Sequence, residues 1–209
     1  WKWLPESDEY LFFKMDSTIK AKSLYKYNLV TGDTSLFLMG DEFTYGGEIL
    51  NIADYTIHPM SKNILLVTEQ QRIWRHSRSA IYYLYDMKSG NIKQVADGNR
   101  LRNVKFSPLG ESVAYLKSDN NLYVFHIDVN KEIRLTKDGS INIINGHFGW
   151  VYEEEFGSSD AYRWSPDSKS IAFVREDQTN VKQFPMIDEL HFYPEVKWHH
   201  YPKVGETNP

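Results

Sequence analysis

Phe106-Ser107-Pro108-Leu109-Gly110-Glu111, running into Val113-Ala114-Tyr115-Leu116, reads as the end of one strand, a proline-started turn and a second, fully apolar strand. Proline presets the φ of the turn it opens, and the short apolar run behind it has strand length. The pattern occurs three more times. Trp3-Leu4-Pro5-Glu6-Ser7-Asp8 leads into Tyr10-Leu11-Phe12-Phe13, and Ile57-His58-Pro59-Met60-Ser61-Lys62 into Ile64-Leu65-Leu66-Val67. Trp164-Ser165-Pro166-Asp167-Ser168-Lys169 leads into Ile171-Ala172-Phe173-Val174. The four prolines recur at a spacing of roughly fifty residues, the signature of a repeated structural unit with small insertions.

In the first three copies two further strands follow. They are Leu24-Tyr25-Lys26-Tyr27 with Ser35-Leu36-Phe37-Leu38, Ile81-Tyr82-Tyr83-Leu84-Tyr85 with Ile92-Lys93-Gln94-Val95, and Leu122-Tyr123-Val124-Phe125-His126-Ile127 with Ile133-Arg134-Leu135-Thr136. The turns between them contain Thr31-Gly32-Asp33, Lys88-Ser89-Gly90-Asn91 and Asn130-Lys131. Four short antiparallel strands per unit is the arithmetic of a β-propeller blade. The expected fold is therefore all-β, with about four blades of four antiparallel strands and repeats near 1–45, 50–98, 101–140 and 160–209. A β-sandwich also has short strands and regular turns, but would not place the same proline turn at the same point of successive four-strand groups.

Composition agrees. Of 209 residues, 15% are aromatic, with 14 Tyr, 11 Phe and 6 Trp, and aromatic side chains suit a half-buried pleated surface. A net charge of −4 gives no basic field for holding nucleic acid, and no run is long and apolar enough for a membrane helix. With no cysteine there is no disulfide framework, thiolate zinc site or thiol nucleophile, and no metal or other cofactor is expected. The chain starts at Trp1 without an initiator Met or signal peptide, and no Asn-x-Ser/Thr acceptor is present, which fits a bacterial protein.

Insertions into repeats tend to gather on one face and carry function. Two interrupt this repeat, at 69–79 and 142–161. The second holds Trp150-Val151-Tyr152-Glu153-Glu154-Glu155-Phe156 between Gly149 and Gly157. Glutamate favours helix and a following glycine stops one, so two helical turns are expected there, pinned by Trp150, Tyr152 and Phe156. Three carboxylates in a row make either a solvated acidic face or a cation site. The first insertion contains Trp74-Arg75-His76-Ser77, where Arg75 is either a solvated loop residue or a fork of donors for a polar substrate group. His191, His199 and His200, dispersed in a Tyr/Pro-rich stretch, read as ordinary strand or loop residues rather than metal ligands.

Together Trp150-Val151-Tyr152-Glu153-Glu154-Glu155, Trp74-Arg75-His76-Ser77 and the closing Tyr201-Pro202-Lys203-x-Gly205-x-x-Asn208-Pro209 resemble dipeptidyl peptidase IV of the prolyl oligopeptidase group, in the family's order and across almost the whole chain. The resemblance implies an eight-bladed propeller, of which these residues would form half, capping an α/β-hydrolase domain. It implies that Glu154 and Glu155 bind the free α-amino group of a peptide, that Glu153 faces elsewhere, and that Arg75 contacts the peptide carbonyl near that amine. It further implies release of N-terminal X-Pro or X-Ala dipeptides by the hydrolase domain, and a periplasmic or cell-envelope location. No Gly-x-Ser-x-Gly nucleophile motif occurs in these residues, so no catalytic residue is assigned among them and the segment alone is expected to be inactive. Open blade faces and unpaired strand edges predict self-association, as a homodimer or a ring completed by two halves. The alternatives are a propeller used only as a protein-interaction platform and, less well supported by a single acidic insertion, a glycan-processing propeller.

Overall fold

Proline turns, paired strands and a single short helix organise the chain in the computed structural model, which describes residues 1–60 and 62–209; Ser61, part of the second proline turn, lies outside the described residues. The residues group into two compact units, 1–70 with 80–99, and 71–79 with 100–209.

In the first unit, β1 (Lys2–Trp3), β2 (Glu9–Asp16), β3 (Ala21–Asn28) and β4 (Thr34–Leu38) form an antiparallel sheet in chain order. A small pair, β5 (Thr44–Tyr45) and β6 (Glu48–Ile49), precedes the second four-stranded sheet. That sheet consists of β7 (Ile52–Ile57), β8 (Asn63–Arg72), β9 (Arg78–Asp86) and β10 (Ile92–Gln94), again in chain order. The turns close by side-chain mimicry of the backbone. Asn28 Oδ1 accepts from the N–H groups of Val30 and Thr31, and Asp86 Oδ1 from those of Lys88 and Ser89. Gly32 and Gly90 follow with φ of 75° and 72°, left-handed positions that glycine occupies without strain. Leu11, Leu24, Phe43, Ile52, Tyr55, Ile64 and Leu66 lie in the core of this unit. Buried Tyr55 on β7 donates its hydroxyl to the Leu11 carbonyl on β2 at 2.8 Å, tying the first strand of one sheet to the second strand of the sheet before.

The second unit repeats this logic with β11 (Arg102–Phe106), β12 (Ser112–Leu116), β13 (Leu122–His126) and β14 (Lys131–Arg134), a third sheet in chain order. Its proline turn is held by the serine before the proline. The Ser107 N–H donates to the Ser112 carbonyl at 2.8 Å, and Ser107 Oγ accepts from the Ser112 N–H at 3.1 Å. Ser165 and Ser170 make the same two bonds around Pro166, at 2.8 and 2.9 Å. That fourth turn joins β16 (Tyr162–Trp164) to β17 (Ile171–Phe173), which form a sheet only two strands wide among the described residues. Tyr162 on β16 donates to the Ala114 carbonyl on β12 at 2.8 Å, the same tie that Tyr55 makes in the first unit. Strand β15 (Ile143–Asn145) pairs with β18 (Arg175–Asp177), and β19 (Gln183–Asp188) with β20 (Glu195–His200).

The all-β, bladed reading therefore stands, with each full blade a four-stranded antiparallel sheet. The aromatic excess has a structural use: tyrosines bury their rings between sheets and spend their hydroxyls on neighbouring backbone. No helix among the described residues is long and apolar enough to cross a membrane.

Candidate functional site

Every group of the site belongs to the second unit, which includes the tip of the β8–β9 hairpin, residues 71–79. The first insertion is largely strand: β8 continues to Arg72, β9 begins at Arg78, and the tip between them closes through an Ile73 N–H to Ser77 carbonyl bond of 3.0 Å.

Helix α1 spans Trp150–Phe156, the seven residues whose flanking glycines mark its ends. Gly149 has no side chain to cap the helix. Its N–H instead donates to Glu176 Oε2 at 2.9 Å, and a Cβ there would run into the side chains of Glu176 and Gln178. At the other end Gly157 takes a left-handed φ of 65°, and its N–H returns to the Glu153 carbonyl. Trp150 packs on β20 and the residue after it, with ring centroids 5.6 Å from His199 and 5.5 Å from Tyr201. Tyr152 stacks on Phe148 at 5.3 Å. Phe156 does not share in pinning the helix. It is exposed, with a ring contact to Tyr152.

Successive helical residues point about 100° apart, so the three glutamates diverge. Glu153 is fully buried at 0% exposure; its Oε1 accepts from the N–H groups of His76 at 2.7 Å and Ser77 at 2.8 Å. Glu154 is partly exposed, and its Oε2 lies 3.0 Å from Nε of Arg75, whose side chain is 64% exposed. Glu155 is exposed and has no ion-pair partner among the described residues. The structure thus brings Arg75 and Glu154 into contact and leaves Glu155 beside them on the same short helix. With the Arg75 guanidinium exposed, solvent screens the pair, so Arg75 can exchange its partner for a ligand.

Behind the helix lies a buried polar group that the sequence did not announce. Arg102 Nη1 is 3.4 Å from Nε2 of His147, and the same His147 nitrogen is 2.9 Å from Asn120 Oδ1. Burial, with the Arg102 charge beside it, holds His147 down to a pKa of about 3, so it is neutral. Burial also lowers the pKa of Arg102, while the negative charge of Glu153 acts in the opposite direction. Nε and Nη2 of Arg102 and Oε2 of Glu153 are buried without a hydrogen-bond partner among the described residues. A cavity of about 230 Å³ adjoins Arg102, walled by Trp74, Trp150, Trp198 and His199 with Arg102 and His147 among its polar groups. His199 packs against Trp74 and Trp150, His200 meets the Val181 carbonyl, and His191 sits near Asp188 and Glu195, so the three histidines do not converge. No cluster of metal-ligating side chains occurs among the described residues.

The model of the dipeptidyl peptidase IV N-terminal region matches residues 58–209. Dipeptidyl aminopeptidase B of Saccharomyces cerevisiae is 36% identical over 208 residues, covering 96% of this chain and 24% of the yeast protein. The crystal structure of Porphyromonas gingivalis dipeptidyl peptidase 4 superposes with a TM-score of 0.83 at 32% identity, over 98% of this chain and 29% of that one. A dipeptidyl aminopeptidase IV described as putative, from Bacteroides ovatus, shares the fold at a TM-score of 0.64 and 22% identity, over 99% of this chain and 26% of that one. The chain spans about a quarter of the length of these relatives.

Proposed function

The chain belongs to the dipeptidyl peptidase IV N-terminal region family, and on that premise we propose that it is the substrate-recognition and gating segment of a dipeptidyl peptidase IV-like serine exopeptidase. In this reading Glu154 and Glu155 bind the free α-amino group of a peptide and Arg75 its nearby carbonyl oxygen. An α/β-hydrolase domain of the same protein then releases the N-terminal X-Pro or X-Ala dipeptide.

The observation that carries the reading is the 3.0 Å approach of Arg75 to Glu154 beside the exposed Glu155. Two carboxylates and one guanidinium leave one net negative charge, which matches a single α-ammonium. That ammonium has a pKa of about 7.7–8.0 and is charged at neutral pH. Its N–H groups donate to carboxylate oxygens in charge-assisted bonds that contribute roughly 1.5–3 kcal/mol each. As the amine takes up Glu154, Arg75 is freed to donate to the first peptide carbonyl. Fixing the amine at a set distance from the scissile bond makes the pair of glutamates a ruler for two residues.

Self-association belongs to the same reading. The β19–β20 hairpin exposes Leu190 at 96% and Phe192 at 94%, with Tyr193, Val196 and Trp198 close by in sequence, an apolar surface suited to a second copy. A periplasmic or cell-envelope location goes with the family resemblance.

Calorimetry with an Ala-Pro peptide bearing a free N-terminus, against its N-acetylated form, tests the assignment. The acetylated peptide should bind about a hundredfold more weakly. Equal binding of the two would remove the glutamates from the site.

A further inference from the structure

We propose that Glu153 is a positioning residue for peptide binding, fastening the Arg75-bearing turn to the glutamate helix and so setting where the guanidinium meets the amine-binding carboxylates. The proposal rests on the assignment of Arg75, Glu154 and Glu155 to the peptide, and goes beyond it in giving the first glutamate of the triplet a defined task.

Glu153 cannot touch a peptide, because it is wholly buried. What it touches is the main chain of the two residues that follow Arg75. One oxygen accepts from both the His76 and Ser77 N–H groups, at 2.7 and 2.8 Å. Across the tip the backbone closes on itself through the Ile73 to Ser77 bond, so the carboxylate supplies a long-range hydrogen-bonded attachment for the segment that carries Arg75. Arg102 lies close enough for its charge to feel that of Glu153, which gives the buried carboxylate a cation to answer it. Helix α1 therefore holds the turn at two successive residues. Glu153 grips the backbone from the inside, and Glu154 meets the Arg75 side chain on the outside. The inner bonds are buried and charge-assisted, whereas the outer pair has its guanidinium on the solvent side, where it is exchangeable. Arg75 can thus let go of Glu154 when a peptide arrives without losing its place.

The test uses the full chain with E153L, which removes the acceptor at similar volume, and E153Q, which keeps one oxygen for the two N–H groups but withdraws the charge. Amide hydrogen exchange at His76 and Ser77 should rise at least about tenfold in E153L and about threefold in E153Q, with the β12 and β13 amides unchanged. Calorimetry with the free-amine Ala-Pro peptide supplies a double-mutant cycle. R75A should cost about tenfold in the wild-type background and less than about twofold in E153L, while E155Q should cost the same in both. A purely architectural role would lower the two effects together. Unchanged exchange at His76 and Ser77, or an undiminished R75A effect in E153L, overturns the proposal. If E153L does not fold, E153Q decides it by the same exchange measurement. If the wild-type chain fails to distinguish the free from the acetylated peptide, the functional reading falls, and exchange alone decides whether Glu153 anchors the turn.

Discussion

The β8–β9 tip and the β19–β20 hairpin are both two-stranded excursions within the second unit, and they are held in opposite ways. The tip is fastened from outside itself, by a buried carboxylate on a helix 76 and 77 residues further along the chain. The hairpin is held mainly by its own ladder, six residue pairs from Gln183↔His200 to Asp188↔Glu195, meets Trp74 and Trp150 only at His199 near one end, and turns Ile187, Val196 and Trp198 to solvent. An element fixed by a remote buried group has its side chains placed to a fraction of an ångström, which suits recognition of a small charged group. An element fixed mainly along its own backbone offers a broad apolar face, which suits another protein surface.

The largest expected effect lies at the fastened element. E154Q/E155Q should lower the affinity for a free-amine peptide about a hundredfold or more, since two charge-assisted acceptors are lost together. In a full-length protein carrying this region, unchanged kcat/KM for dipeptide release by the same double variant would break the contrast at its functional end. Next comes the hairpin. L190D/F192D should raise the dissociation constant of self-association by about thirtyfold, because two exposed apolar side chains would bring charges into an apolar contact. Sedimentation velocity would show it, and a wild-type chain that stays monomeric at high concentration would leave the hairpin without its proposed partner.

Acid should act chiefly behind the fastened element. His147 has a folded pKa of about 3 against an ordinary value of 6.5, so the unfolded chain takes up the proton first. Stability therefore falls as pH drops below about 6.5, by at most about 1.4 kcal/mol per pH unit, and levels off below the folded pKa. Arg102 beside His147 works in this direction, and so does half-buried His199, whose pKa is lowered by burial and by Lys197. Denaturant titrations between pH 6.5 and 4.5 should show a clearly flatter slope in H147Q than in wild type. A similar slope in both would mean that His147 is not the buried neutral group described. The smallest effect expected is that of Y55F and Y162F, each losing a buried hydroxyl that donates to a neighbouring sheet. Thermal unfolding should report a loss of about 1 kcal/mol in each.

Much of the fold was legible in the residues because the deciding interactions are local. Ser107 and Ser165 bond to residues five positions on, and Asn28 and Asp86 to residues two and three positions on. The end of α1 follows from Gly157, whose left-handed cap is also local, whereas Gly149 at its start is answered by the distant Glu176. The fourth repeat shows the limit of this reasoning. Its proline turn and first two strands form as its residues indicate, yet the segment that follows pairs as a separate hairpin instead of extending that sheet. A turn motif specifies the two strands it joins and is silent on what lies along their outer edge.

Sequence alone determined that this chain is built of proline-turned antiparallel strands, that a short helix interrupts them, and that this helix carries three carboxylates. Tertiary structure decided what each carboxylate does: Glu153 turned inward to the tip of a hairpin, Glu154 paired with Arg75, Glu155 left to solvent. It also decided that the helix start would be satisfied by Glu176 and that Arg102 and His147 would lie behind it. Helical spacing makes three adjacent glutamates point in three directions, but only the packing of distant strands settles which direction is inside. A buried charge requires partners that no local pattern can supply.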